Sequence, residues 1–216
     1  MVFHQPNCSL QSYKLSIDKT EIEHANLFKF LGLTITENMS WKPHISETAL
    51  RVSRSIGILS KLRQVFPRYI ILTLYYSLIM PHLTYHLIIW GHENEKLYKL
   101  QKKAIRLVTN TSRHSHTTPL FKSLHLLNLP DIHSLMLLKL YYKFLQNDLP
   151  EYFRSMTFSQ TCHVHNHETR NRHKLVTPSL KHCFATKIIR HKIIYLVNLL
   201  PNCTDQGYQL LQKIFP

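Results

Sequence analysis

The alternation of apolar and polar positions changes its period near residue 40. Before that point Tyr13, Leu15 and Ile17 alternate with Lys14, Ser16 and Asp18, the two-residue repeat of a half-buried strand. Phe28, Phe30, Leu33 and Ile35 give a second such run around Gly32. The segment therefore predicts a β-hairpin or small sheet, too small to be stable alone. From Pro43 the period lengthens. Ile45, Ala49, Val52, Ile56 and Leu59 recur every three or four residues, the apolar stripe of an amphipathic helix, with Glu47, Arg51, Arg54 and Lys61 on another face. That helix is expected to stop near Phe66, because a residue before proline avoids helical geometry, and Pro67 can open the next one.

Pro67 to Trp90 is apolar on all sides, which predicts two core helices broken at Pro81 and ended at Gly91. The run from Tyr69 to His92 holds no acidic residue, Lys or Arg and is long enough to cross a bilayer, but Pro81, His82, Thr84 and His86 interrupt it, so buried helices are the preferred reading. A further helix is expected from about Glu93 to Val108, with acids in its first turn and Arg106 in its last, as the helix dipole favours. Leu97, Leu100, Ala104 and Leu107 form its apolar stripe, and Lys96, Lys99, Lys103 and Arg106 a basic row beside it. Asn110 to Thr118 reads as a polar loop with Arg113, His114 and His116, followed by a short helix after Pro119 and an apolar helix from Asp131 to about Gln146. Ser155 to Thr177 is polar, His-rich and aperiodic, hence loop, and a last helix is expected from Phe184 to Leu199, ended by Pro201. The fold class is mainly α.

Charge sharpens this picture. Twenty-seven Lys and Arg against twelve Asp and Glu leave a formal +15 on 216 residues. Such an excess attracts polyanions, nucleic acid first and an anionic membrane surface second. The basic row of the Glu93–Val108 helix, with Lys102 and Tyr98 beside it, could follow a phosphate backbone, although a solvated face would look the same in sequence. Arg51, Arg54, Lys29 and Arg113 are the further candidates for such contacts. Four scattered cysteines make no disulfide framework, and the first residues lack the charged and apolar regions of a signal peptide, which points to the cytoplasm or nucleus.

Catalytic chemistry is poorly provided for. Two-metal phosphoryl transfer needs converging carboxylates, and the only aspartates are Asp18, Asp131, Asp148 and Asp205, far apart in sequence. Nucleophilic catalysis has no Gly-x-Ser-x-Gly elbow to support it. A run from Cys162 to His167, followed by His173, His182 and Cys183, carries zinc-ligand residue types, with Cys162, His167, His173 and Cys183 the best set. Its spacing fits no zinc finger, so a His-rich basic loop is preferred and no metal or other cofactor is expected.

Several blocks, taken in order, are more specific. Lys29-Phe30-Leu31-Gly32, then Ile35, Trp41 and His44-Ile45, resemble the segment just after the catalytic palm of jockey-like non-LTR retrotransposon reverse transcriptases. The resemblance continues through the run from Leu74 to Tyr85, Trp90-Gly91, Leu100-Gln101-Lys102-Lys103-Ala104-Ile105-Arg106, and His116-Thr117-Thr118-Pro119-Leu120-Phe121. It resumes in His165-Asn166-His167-Glu168-Thr169-Arg170 and closes at Asn198-Leu199-Leu200-Pro201, so that it covers about Phe28 to Pro201. Two departures matter. The family's Ala-Asp-Asp motif and its other metal-binding Asp belong upstream and have no counterpart here, and Val197 stands where the closing block has Trp.

The resemblance implies a helical, thumb- or connection-like bundle with a small N-terminal hairpin. Residues 1–40 would be the hairpin ending a palm, 41–150 the thumb-like region, and 151–216 a His-rich basic loop with a C-terminal helix. The function it implies is that of a non-catalytic remnant of an RNA-directed DNA polymerase, holding an RNA–DNA or DNA duplex by its backbone. The palm domain of a longer polymerase is a possible partner, and neither a membrane nor a small-molecule substrate is expected. The alternatives are a piece of a longer active reverse transcriptase, a helical protein-interaction adaptor and a pseudogene product without function.

Overall fold

The computed structural model describes residue 3 and residues 15–154, 158–163, 173–177 and 189–199, and these are mainly helical. The strands are β1 (Ser16–Ile17), β2 (Thr20–Glu21), β3 (Leu27–Phe30) and β4 (Leu33–Thr36). The helices are α1 (Lys42–Leu62), α2 (Arg68–Leu78), α3 (Met80–Thr84), α4 (Leu87–Trp90), α5 (Glu95–Val108), α6 (Thr118–Ser123), α7 (Leu129–Leu145), α8 (Glu151–Arg154) and α9 (Ile189–Leu199). Two compact units form, one from the described residues up to His86 with Glu93–Leu129, the other from Leu87–His92 with the described residues from Pro130 onward.

In the first unit β3 and β4 make the expected hairpin, with Phe28 opposite Ile35 and Phe30 opposite Leu33. Leu31 and Gly32 turn it with φ of 45° and 77°, the doubly left-handed turn that matches strand twist. The Tyr85 hydroxyl pins that turn by donating to the Leu31 carbonyl at 2.8 Å. Only β4 is covered: Leu33 and Thr34 are buried, whereas all of β3 is exposed. The half-buried strand expected over Tyr13–Asp18 is not found. Tyr13 and Lys14 lie outside the described residues, and from Leu15 to His24 every residue is exposed in a two-residue strand pair, too short to bury a face.

The α1 stripe of Ile45, Ala49, Val52, Ile56 and Leu59 is buried as its period requires. Val52 and Leu59 are wholly buried, each contributing about 1.5–3 kcal/mol by leaving water. The helix ends at Leu62, earlier than expected, and the chain passes through turns in which the Val65 and Phe66 amides both donate to the Leu62 carbonyl. The apolar stretch after Pro67 departs further from expectation. Its break falls at Ile79, and Pro81 lies inside the first turn of α3, since proline lacks the N–H that would donate to the Ser77 carbonyl one turn back. It is also buried on one side only. Ile71, Tyr75, Ile79 and Leu83 are covered, while Tyr69, Tyr76 and Tyr85 keep roughly half or more of their surface in water, which a phenol tolerates. No helix among the described residues is long and apolar enough to cross a membrane.

The centre of this unit is a polar residue. Gln101, on α5, is fully buried. Its Nε2 donates to the Tyr75 hydroxyl at 3.1 Å and to the Leu127 carbonyl at 3.2 Å, and its Oε1 accepts the Leu129 amide at 2.8 Å. Tyr75 in turn donates to the Met80 sulfur, and burial pushes its phenol up to about 12. Three helices end in the same cap. At Asn110, His125 and Asn147 the chain turns left-handed, and the next residue's amide reaches back to the carbonyls of Arg106, Phe121 and Lys143. None of the three uses glycine, and asparagine, at two of them, tolerates that conformation.

In the second unit Leu137 and Tyr141 of α7 pack with Leu175 and with Ile193, Ile194 and Val197 of α9. Phe158 sits edge-on to Tyr141 and Phe144, with ring centroids 5.2 and 4.9 Å away. Part of the expected 155–177 loop pairs instead: Gln160 bridges Leu175, the Thr161 amide donates to the Lys174 carbonyl, and the Val176 amide to that of Ser159. The Asn198 side chain both donates to the Leu175 carbonyl and accepts its amide, at 3.0 and 2.9 Å. The first residues of the helix expected from Phe184 lie outside the described residues. As expected, Gly91 directly follows the last residue of α4. It is buried at the start of a short 3-10 turn, where a Cβ would stand 2.5 Å from the His133 ring.

Replacing Gln101 with Met keeps the volume but leaves the Leu127 carbonyl and the Leu129 amide without their partner. Such buried losses cost about 1–3 kcal/mol per group, so denaturant unfolding of Gln101→Met is expected to show a loss of roughly 2–4 kcal/mol.

His133 gives a pH signature. Burial, then the nearby Lys192 charge, hold its imidazole down at about 4, against a hydrogen bond to the Ile88 backbone that works the other way, and His92 adds to the lowering. A base depressed on folding favours the folded state above its unfolded pKa, near 6.5, and that stability is lost as pH falls from there toward 4. Across that range the wild type should lose about 3 kcal/mol more than a His133→Gln variant does, as read from denaturation midpoints.

Candidate nucleic-acid interface

On α5 the buried positions are Leu97, Gln101, Ala104, Ile105 and Val108. The inner face is thus rotated slightly from the expected stripe, with Leu100 and Leu107 half-buried at its edges. The rotation follows from Gln101, whose hydrogen bonds draw a polar residue to the centre of the face. The opposite side carries the basic row. Lys96, Lys99 and Lys103 are exposed, and Arg106 is half-buried.

These four cations are not equivalent. The Lys96 ammonium donates to the Ser46 hydroxyl at 3.2 Å, placing the start of the row against the first turns of α1. The Arg106 Nε donates to the Ser115 carbonyl at 3.0 Å and so holds the polar loop after α5 while keeping its charge at the helix end. Lys102 lies over the Tyr98 ring, 4.0 Å from its centroid, a cation–π contact that orients it along the helix flank. Arg113 is exposed in the polar loop and Arg54 on α1.

Lys29 and Arg51 form a separate cluster. Both contact Glu47 Oε1, at 3.3 and 2.6 Å, and Oε2 of the same carboxylate accepts the Thr34 hydroxyl at 3.2 Å. The Lys29 hydrogen bond holds the Glu47 carboxyl below the usual range, with the Thr34 hydroxyl and the Arg51 charge adding to it. The pairs are solvent-exposed and contribute little to stability, but they tie β3 to α1. Beside them His44 is buried on α1, and its Nδ1 accepts the Thr34 amide at 3.5 Å. Burial lowers its pKa, as do the Arg51, His86 and Lys29 charges, against the opposing pull of Glu47.

The proposed zinc ligands are divided. His167 and Cys183 lie outside the described residues. Cys162 is half-buried with its thiol on Gln160 Oε1 at 3.4 Å, and His173 is exposed. No group of three potential metal ligands occurs among the described residues. Sequence reading missed the gathering of Glu47, His44 and Tyr85 around the hairpin. The Glu47–Arg51 spacing was visible, but the link to Lys29 spans 18 residues and has no local signal.

No protein-family model matches the chain, and no curated protein or solved structure shows significant similarity to it.

Proposed function

We propose that the first unit binds nucleic acid through its phosphate backbone, without chemistry of its own, as a thumb-like region of a reverse transcriptase does. The observation that carries this reading is the orientation of α5. Gln101 and its apolar neighbours hold one side inside, so that Lys96, Lys99 and Lys103 stand in a row outside, with Arg106 at its end. Charges fixed on a rigid helix lose little entropy when they meet a regular row of phosphates, and each releases counterions there. The +15 excess raises the encounter rate for the same partner.

Changing Lys96, Lys99, Lys103 and Arg106 together to Gln is expected to flatten the salt dependence of duplex binding by up to about 3 to 4 in log–log slope. Affinity should fall equally for unrelated sequences, because phosphate contacts carry no base information. An unchanged slope in a variant of normal helicity would mean that the row is only a solvated face.

A second reading, docking to the palm domain of a longer polymerase, draws on the hairpin. Leu27, Phe28, Phe30 and Leu31 are all more than half exposed, an apolar edge that another sheet or domain would cover. In either case this chain alone is expected to extend no primer with magnesium or manganese, and template-dependent incorporation above background would show chemistry that its scattered aspartates do not suggest.

A further inference from the structure

Between the hairpin, α1 and α3 the first unit has an open cavity of about 380 Å³. Lys29 and Gly32 line it from the hairpin, His44 and Arg51 from α1, and His82 and Tyr85 from α3 and the residue after it. Its walls carry two permanent cations and two imidazoles, and Tyr85 stays 49% exposed. The volume lies in the range of small-ligand sites and exceeds what a bare phosphate ion fills.

We propose that this cavity is a binding site for a phosphate monoester carried by a single nucleotide, separate from the α5 row. Glu47 sets the two cations in place: because Lys29 and Arg51 share one of its oxygens, their nitrogens are close enough to be bridged by one phosphate. Each has donors to spare. An ammonium has three N–H groups and a guanidinium five, and one contact from each goes to Glu47. Two cations and one carboxylate leave a net positive wall, and with Nδ1 accepting the Thr34 amide, neutral His44 carries its proton on Nε2. The base has a platform in Tyr85. Its hydroxyl is anchored on the Leu31 carbonyl and its ring lies against Gly32, where an added Cβ would stand 3.3 Å from Cε1, so the ring is held still at the cavity wall. Stacking on a fixed aromatic ring is sequence-tolerant and suits any base. A concave site of this size admits one nucleotide, free or at a strand end, and not a duplex.

The test is calorimetric titration of the full chain with adenosine monophosphate, adenosine and inorganic phosphate. It is run on the wild type, on Arg51→Gln, on Glu47→Gln and on the variant lacking the four α5 charges. The monophosphate is expected to bind at one saturable site and more tightly than adenosine or phosphate. Arg51→Gln should weaken it about tenfold, through loss of charge-assisted hydrogen bonds, and Glu47→Gln should tighten it by removing a repelling charge. The α5 variant should bind it normally, which keeps this site distinct from the duplex interface whether or not that interface exists. Short oligonucleotides with and without a 5′-phosphate then separate the two sources. A preference for the phosphorylated one identifies a strand end, and equal weak binding beside a tight monophosphate identifies the free nucleotide. Circular dichroism establishes that the variants fold. The proposal is overturned if the monophosphate binds no better than adenosine, if Arg51→Gln and Glu47→Gln both behave as wild type, or if the α5 variant loses the binding.

Discussion

The first unit depends on one buried amide. Gln101 of α5 reaches α2 and the start of α7 at once, through Tyr75, Leu127 and Leu129. An apolar residue there could fill the space but could not tell one rotation of α5 from its neighbours. The amide can, because its donors and acceptor meet partners in a single orientation, and a half-satisfied buried network is worse than none. The rotation of α5 decides where the lysines point, so the outward row is a consequence of an inward hydrogen-bond network.

The unit keeps neutral polar groups inside and charges outside. Gln101, Tyr75 and His44 are buried and hydrogen-bonded in uncharged form. Lys29, Arg51, Lys99 and Lys103 remain in water. Burying an ammonium without a partner would cost several kcal/mol, whereas a satisfied amide costs little. A chain with this much positive charge must therefore place it on the surface, where like charges repel one another and any polyanion relieves the repulsion.

Periodicity made much of the fold legible. The α1 stripe, the β3–β4 hairpin and the basic row of α5 could be read from local spacing, because each is an amphipathic element whose burial follows its own repeat. Three features could not. The apolar run after Pro67 looked uniformly buried, since composition alone does not reveal which side has a neighbour. Gly91 follows the end of α4 as its sequence suggests, but the constraint that excludes a side chain there, the His133 ring, comes from 42 residues away in the chain. The Lys29–Glu47–Arg51 cluster combines a local pair with a distant lysine, and only the pair has a signature in the sequence.

The blocks singled out in the sequence have mostly structural duties. Gly32 makes the hairpin turn, Tyr85 pins it, Gln101 centres the first unit, Gly91 makes room for His133, and Asn198 clasps the backbone of Leu175. Val197 is a buried member of the second unit's core, so that position serves packing. Residues of this kind specify a scaffold, and a scaffold does not by itself carry a function. Lys96 and Lys99, by contrast, lie outside those blocks, and what they offer a polyanion depends on where the scaffold holds them together with Lys103. The packing of these blocks therefore fixes the frame, and the outward charges of α5 are a separate feature that the frame holds in place.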